Sequence, residues 1–146
     1  MMKLFNSRFE LALRVMLILK TAGKIAKSKI LALDLMSTYG KSCKITNENF
    51  HGNNQFNISE VAIRKKLIDQ AIAYLRLYEL VEELYDSKMG YTYRLTNNGR
   101  KVIDQVNDDY SASYQKTLRK AIELTGKKDD VQLFSMLSKQ FDAEAR

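Results

Sequence analysis

The sequence predicts a mainly α-helical fold with one small antiparallel β-hairpin, and three neighbouring stretches carry that reading. In the first, Ile63, Leu67, Ile68, Ala71, Ile72, Leu75 and Tyr78 recur along one face of a 3.6-residue period, as an amphipathic helix requires. Its opposite face holds Lys65, Lys66, Asp69, Gln70, Ala73 and Arg76. In the second, the run Leu80 to Tyr85 is followed by Ser87-Lys88-Met89-Gly90 and then by the alternating, aromatic-rich run Tyr91 to Leu95. Gly90 takes a positive φ at little cost, so this is a strand, a tight turn and a return strand. In the third, Thr96 is placed to cap the helix that follows. Helix, strand, turn, strand and helix in this order form the second half of a winged helix-turn-helix domain. The predicted organisation is a winged-helix domain over residues 1–106. A C-terminal helical extension over 107–146 packs on it or on a partner.

The remaining elements follow in chain order. Phe5 to Ala22 reads as a helix that is apolar nearly all round. Phe9, Ala12, Leu13, Met16 and Leu19 form one face, and Leu11, Val15, Ile18 and Ala22 form a second. Such a helix is either central to a core or shared with another chain. In so small a domain its cover comes from the C-terminal arm or from a partner, which makes Leu11, Val15 and Ile18 candidate interface residues. Gly23 ends this helix, and Lys24 to Lys29 reads as a short basic loop. Ser28 is placed to cap a second apolar helix, Lys29 to Tyr39, closed by Gly40. Asp34 within it calls for a hydrogen-bond partner rather than a catalytic task, since a carboxylate on an apolar helix is costly to bury alone. Lys41 to Phe56 is a polar connection, and Asn57 with Glu60 fits a capping box at the start of the third helix. After Ile103, Asp108-Asp109 lead into a helix from Tyr110 to Thr125 whose stripe is Tyr114, Leu118, Ala121 and Ile122. Gly126 breaks it. Asp129 or Asp130 then caps a last helix carrying Val131, Leu133, Phe134, Leu137 and Phe141, of which Phe134 and Leu137 are further candidate interface residues.

Composition excludes several classes. The single cysteine, Cys43, rules out an intramolecular disulfide framework and a multi-cysteine zinc site, and suits a reducing cytoplasm. The apolar run Leu11 to Leu19 is interrupted by Arg14 and falls well short of the ~20 residues of a membrane span. There is no Gly-rich phosphate loop, nucleophile elbow, paired zinc spacing or dinucleotide fingerprint. His51 is the sole histidine and lacks an evident set of co-ligands. Glu82 and Glu83 are adjacent on a strand and so point to opposite faces, where they cannot easily share a proton. No catalytic residue, cofactor or metal is expected.

The formal charge of +7 invites a nucleic-acid reading, but its distribution decides how far to take it. Residues 1–56 hold nine basic against three acidic residues, whereas 57–106 hold eight against seven. The excess therefore precedes the helix and hairpin that would grip DNA. Candidate DNA contacts are Lys24, Lys27 and Lys29 in the basic loop, Lys65, Lys66 and Arg76 on the helix, and Lys88 in the turn. Asp69, Glu82, Glu83 and Asp86 oppose them. Non-specific contact is compatible with this pattern, and sequence-specific readout is less so. A homodimer is also compatible.

The stretches FNSRFELALRVMLIL, KILALDLMSTYGK, NFHGNNQFNISEVAIRKKLIDQAIAYL and ELVEELYDSKMGYTYRL together resemble the type-two middle component of bacterial ABC-three-component systems, over residues 4–125. The most distinctive parts are Ala32 to Lys41 and Phe50 to Glu60. The family's usual HGDN loop stands here as His51-Gly52-Asn53-Asn54, with an amide in place of the acid. The resemblance implies a cytoplasmic, non-catalytic winged-helix subunit that binds an SMC-like ABC ATPase and an effector, in systems related to Lamassu-type defence against phage and plasmids. A DNA-binding transcriptional regulator is the alternative, on analogy of fold and charge.

Overall fold

The computed structural model describes residues 8–39 and 58–125. Among the described residues, five helices and a three-stranded antiparallel sheet follow in the order α1 (Arg8–Ala22), β1 (Ile25–Ala26), α2 (Lys27–Thr38), α3 (Ile58–Leu77), β2 (Val81–Asp86), β3 (Gly90–Leu95), α4 (Asn97–Asp104) and α5 (Asp109–Thr125). The mainly α composition with a small hairpin is therefore as the sequence predicts. The stretches around Cys43 and His51, the Asn57 cap, and the expected last helix with Phe134 and Leu137 lie outside the described residues.

α1 ends at Gly23, whose φ of 81° only glycine adopts cheaply and whose amide closes back on the Leu19 carbonyl at 3.0 Å. The chain then forms a strand where the basic run Lys24 to Lys29 predicts a loop. Ile25 and Ala26 pair with Tyr93 and Thr92, so β1 joins the hairpin and the sheet runs β1-β3-β2. β1 passes straight into α2 through Ala26, which serves as the N-cap without a side-chain bond. Ser28 is thus inside the helix and not its cap, because the strand already delivers the extended residue that a helix start needs.

α3 closes with Glu79 in the left-handed region at φ 58°, while the Leu80 amide reaches back to the Leu75 carbonyl at 2.8 Å. This is the six-to-one closure of a Schellman motif, with glutamate where glycine is usual. β2 and β3 pair from Val81↔Leu95 to Asp86↔Gly90. Asp86 Oδ1 accepts from the Lys88 amide at 2.7 Å and the Met89 amide at 3.3 Å, and Gly90 takes φ 75°. Thr96 caps α4 by accepting from the Gly99 amide at 3.0 Å. Asp108 opens α5, accepting from the Ser111 amide at 3.1 Å and its hydroxyl at 2.7 Å.

α1 is the centre of the core and packs against α2, α3, α4, α5 and β3. Leu11, Val15 and Ile18 are each 0% exposed. The expectation that they face a partner is corrected: the chain itself encloses these three residues, and Phe9 near the start of α1 is the large apolar side chain of that helix left exposed. Tyr114, Leu118 and Ala121 of α5 belong to the same core, so residues 109–125 are continuous with the body formed by the preceding elements. The face predicted for α3 also shifts. Ile68, Ala71, Ile72 and Leu75 are buried as expected, but Ile63 and Tyr78 are 58% and 59% exposed, and Arg64 is buried in their place.

Candidate functional site

The most concentrated chemistry lies inside the molecule. Asp34, midway along α2, is fully buried, and three side chains from three other helices converge on its carboxylate. Arg14 of α1 grips it in two places, Nε donating to Oδ1 at 2.8 Å and Nη2 to Oδ2 at 3.2 Å. Arg64 of α3 donates through Nη1 to Oδ2 at 3.0 Å and to the Thr38 hydroxyl at 2.8 Å. The Tyr114 hydroxyl of α5 donates to Oδ1 at 2.6 Å. The partner that the sequence reading asked for is thus a charged cluster tying α1, α2, α3 and α5 to one residue. Burial alone would push the Asp34 carboxyl up, but Arg14, Arg64 and Tyr114 outweigh it and hold the carboxyl below the usual carboxylate range. Burial first, and then the charge of Asp34, push the Tyr114 hydroxyl well above its ordinary value. With all its lone pairs engaged and no solvent access, Asp34 is suited to fastening helices.

These shifts set a pH dependence. Asp34 binds its proton less readily in the folded state, so its stabilisation is present above the ordinary carboxylate range and is lost as pH falls through the depressed value. Burial pushes Tyr39, Tyr93 and Tyr110 up to about 12, so their contribution is present below the ordinary tyrosine value and is lost as pH rises through the shifted ones. Thermal melts should therefore show a Tm nearly flat from roughly pH 5 to 9, falling on both sides. A steep slope within that interval would contradict the assignment.

The surface bearing the predicted DNA contacts is formed by α3, the hairpin and the β1–α2 junction. Lys27, the first residue of α2, places Nζ 3.1 Å from Asp69 Oδ1 and 5.6 Å from the centre of the Tyr93 ring. Arg76 Nη1 is 3.3 Å from Glu83 Oε2, which also accepts from the Tyr93 hydroxyl at 2.6 Å. Arg94 pairs with Glu82 on the opposite face of the hairpin, so the two adjacent glutamates do point apart. Lys65 and Lys66 are exposed on α3, Lys29 is half-buried, and Lys24 and Lys88 are exposed beside the hairpin turn, with Lys24 acting on Asp86. Lys27 and Lys65 are brought together on the rim of an apolar groove of about 420 Å³, floored by Leu31, Val61 and Ile68. Of the seven candidate cations, Lys27 and Arg76 are thus paired with carboxylates and Lys24 acts on a third.

Sequence reasoning passed over Arg64 and β1. Arg64 had a usable signal, since it stands four residues before Ile68 and so shares the buried face. β1 had almost none, because two residues are too few for alternation to show.

The family model of the ABC-three component (ABC-3C) system Middle Component 2 matches residues 4–146. The chain belongs to this family. No curated protein and no solved structure matches it. As a component of a multi-component system, a member of this family works with protein partners. Among the described residues, no helix is long and apolar enough to cross a membrane.

Proposed function

We propose that the chain is a non-catalytic winged-helix accessory subunit of a bacterial three-component defence complex. In this reading it binds an SMC-like ABC ATPase and helps hold an effector inactive until foreign DNA is sensed. The observation that carries the reading is the family match over residues 4–146. The winged-helix assignment is supported by the element order α1-β1-α2-α3-β2-β3 and by β1 adding to the hairpin in the order β1-β3-β2. α3 then occupies the recognition-helix position and β2-β3 the wing. The relation to Lamassu-type systems rests on the sequence resemblance. A cytoplasmic setting accords with the lone cysteine.

The charge arrangement favours a protein partner over autonomous DNA reading. Asp69 and Glu83 engage Lys27 and Arg76 on the very surface where a regulator needs free cations. Lys24, Lys65, Lys66 and Lys88 suffice for non-specific phosphate contact by an assembly. Affinity capture of the tagged chain at native expression, with identification of what is retained, tests the proposal. Retention of a coiled-coil ATPase encoded next to it is the expected result. Capture of neither an ATPase nor an effector, with selective binding to the chain's own promoter, would replace this reading with that of a transcriptional regulator.

A further inference from the structure

The surface that departs most from the sequence reading is the flank of α3 beside α1. Ile63, Leu67, Gln70, Tyr74 and Leu77 follow one another at intervals of four, three, four and three residues, the spacing of a coiled-coil seam. Ile63 is 58% exposed, Leu77 76% and Tyr78 59%, while Leu67 and Tyr74 are half-buried. Phe9 of α1, 70% exposed, meets Tyr74 edge-on at 5.9 Å, and Tyr74 meets Tyr78 at 4.8 Å. With side chains of ordinary size, these exposures amount to roughly 600 Å² of apolar surface. The largest apolar patch on a typical monomer is about 300–600 Å², and each side of a standard interface contributes about 800 Å². The stripe thus supplies most of one side of a stable contact.

We propose that this face of α3 pairs with the same face of a second copy of the chain, the two helices running antiparallel about a two-fold axis at Gln70. Two properties of the stripe select that occupant. First, its apolar members flank Gln70 on both sides, Ile63 and Leu67 seven and three residues before it and Tyr74 and Leu77 four and seven after: an axis at Gln70 sets Ile63 against Leu77 of the other copy and brings Leu67 within one residue of Tyr74, apolar on apolar, as an isologous contact requires. Second, Gln70 is the one polar member. An apolar partner helix would bury its amide unsatisfied at about 1–3 kcal/mol, whereas the second copy brings an identical amide able both to donate and to accept. The alternating spacing suits the shallow crossing of about 20° at which such helices interdigitate. This pairing is independent of whether the ATPase is bound.

The test uses the full chain. Sedimentation at micromolar concentration should show a dimer, and Leu77→Lys should convert it to a monomer whose Tm matches that of wild type diluted below its dimerisation range, since Leu77 is 76% exposed and contributes little to the chain's own core. In a Cys43→Ser background, Gln70→Cys should form a disulfide-linked dimer on mild oxidation, because residues on the axis approach each other. Arg119→Cys, exposed on α5, should not. A wild-type chain that stays monomeric over that range would overturn the proposal. So would a dimer indifferent to Leu77→Lys, or cross-linking through Arg119→Cys as efficient as through Gln70→Cys.

Discussion

Replacing Asp34 with alanine is expected to remove about 3–5 kcal/mol of stability, because it strands the Arg14 and Arg64 guanidiniums in the core with their shared counter-charge gone. In a chain of this size that lowers Tm by about 10–20 °C. Circular-dichroism melts and urea titrations of the variant against wild type measure it. Tyr114→Phe gives a graded comparison: it deletes one donor to a charged acceptor and leaves both arginines paired, so its cost should be smaller, about 1.5–3 kcal/mol. A loss below about 1 kcal/mol for Asp34→Ala would mean that the cluster does not fasten the four helices.

The second large effect is expected at Gly99, and here two physical arguments predict opposite signs. Helix propensity alone says that Gly→Ala inside α4 stabilises by about 1 kcal/mol. Packing says otherwise. A Cβ on Gly99 would overlap the carbonyl oxygen of Leu80 and come within 3.1 Å of Leu95 Cδ2. That carbonyl is fixed by the Thr96 amide at 3.0 Å, so α4 and the start of β2 would have to separate. Overpacking costs about 1–3 kcal/mol and occasionally more, and against a fixed backbone oxygen it falls at the upper end, so this term should win. Gly99→Ala should therefore unfold at lower urea than wild type. A variant equal to or more stable than wild type would show that the α4–β2 junction yields freely.

How much of this was legible in the sequence depends on whether local spacing or long-range contact sets the feature. The hairpin and the Thr96 cap are local. Alternation from Tyr91 to Leu95, Gly90 at the positive-φ position and a hydroxyl three residues before Gly99 were sufficient. The demand that Asp34 find a partner was legible too, but its identity was not. Arg14, Arg64 and Tyr114 lie 20, 30 and 80 residues away, and nothing in a periodicity says which charges will meet. The apolar excess of Leu11 to Leu19 leaves two readings open in the sequence, a core centre or a face shared with another chain, and burial within this chain decides for the first. Four helices and a strand surround α1, more than the length of the chain suggested. Apolar surface is left over on α3, where Arg64 takes the inward position and Ile63 and Tyr78 are left outside, and also on the hairpin at Tyr85, Met89 and Tyr91.

The central claim is that this chain acts by joining a protein assembly. Sedimentation velocity of the purified chain mixed with the purified ABC ATPase of its own three-component system tests that most directly. A single faster boundary containing both proteins, present at micromolar concentration without DNA, is the predicted result. Two boundaries unchanged from those of the separate proteins, with excess chain present, would contradict it.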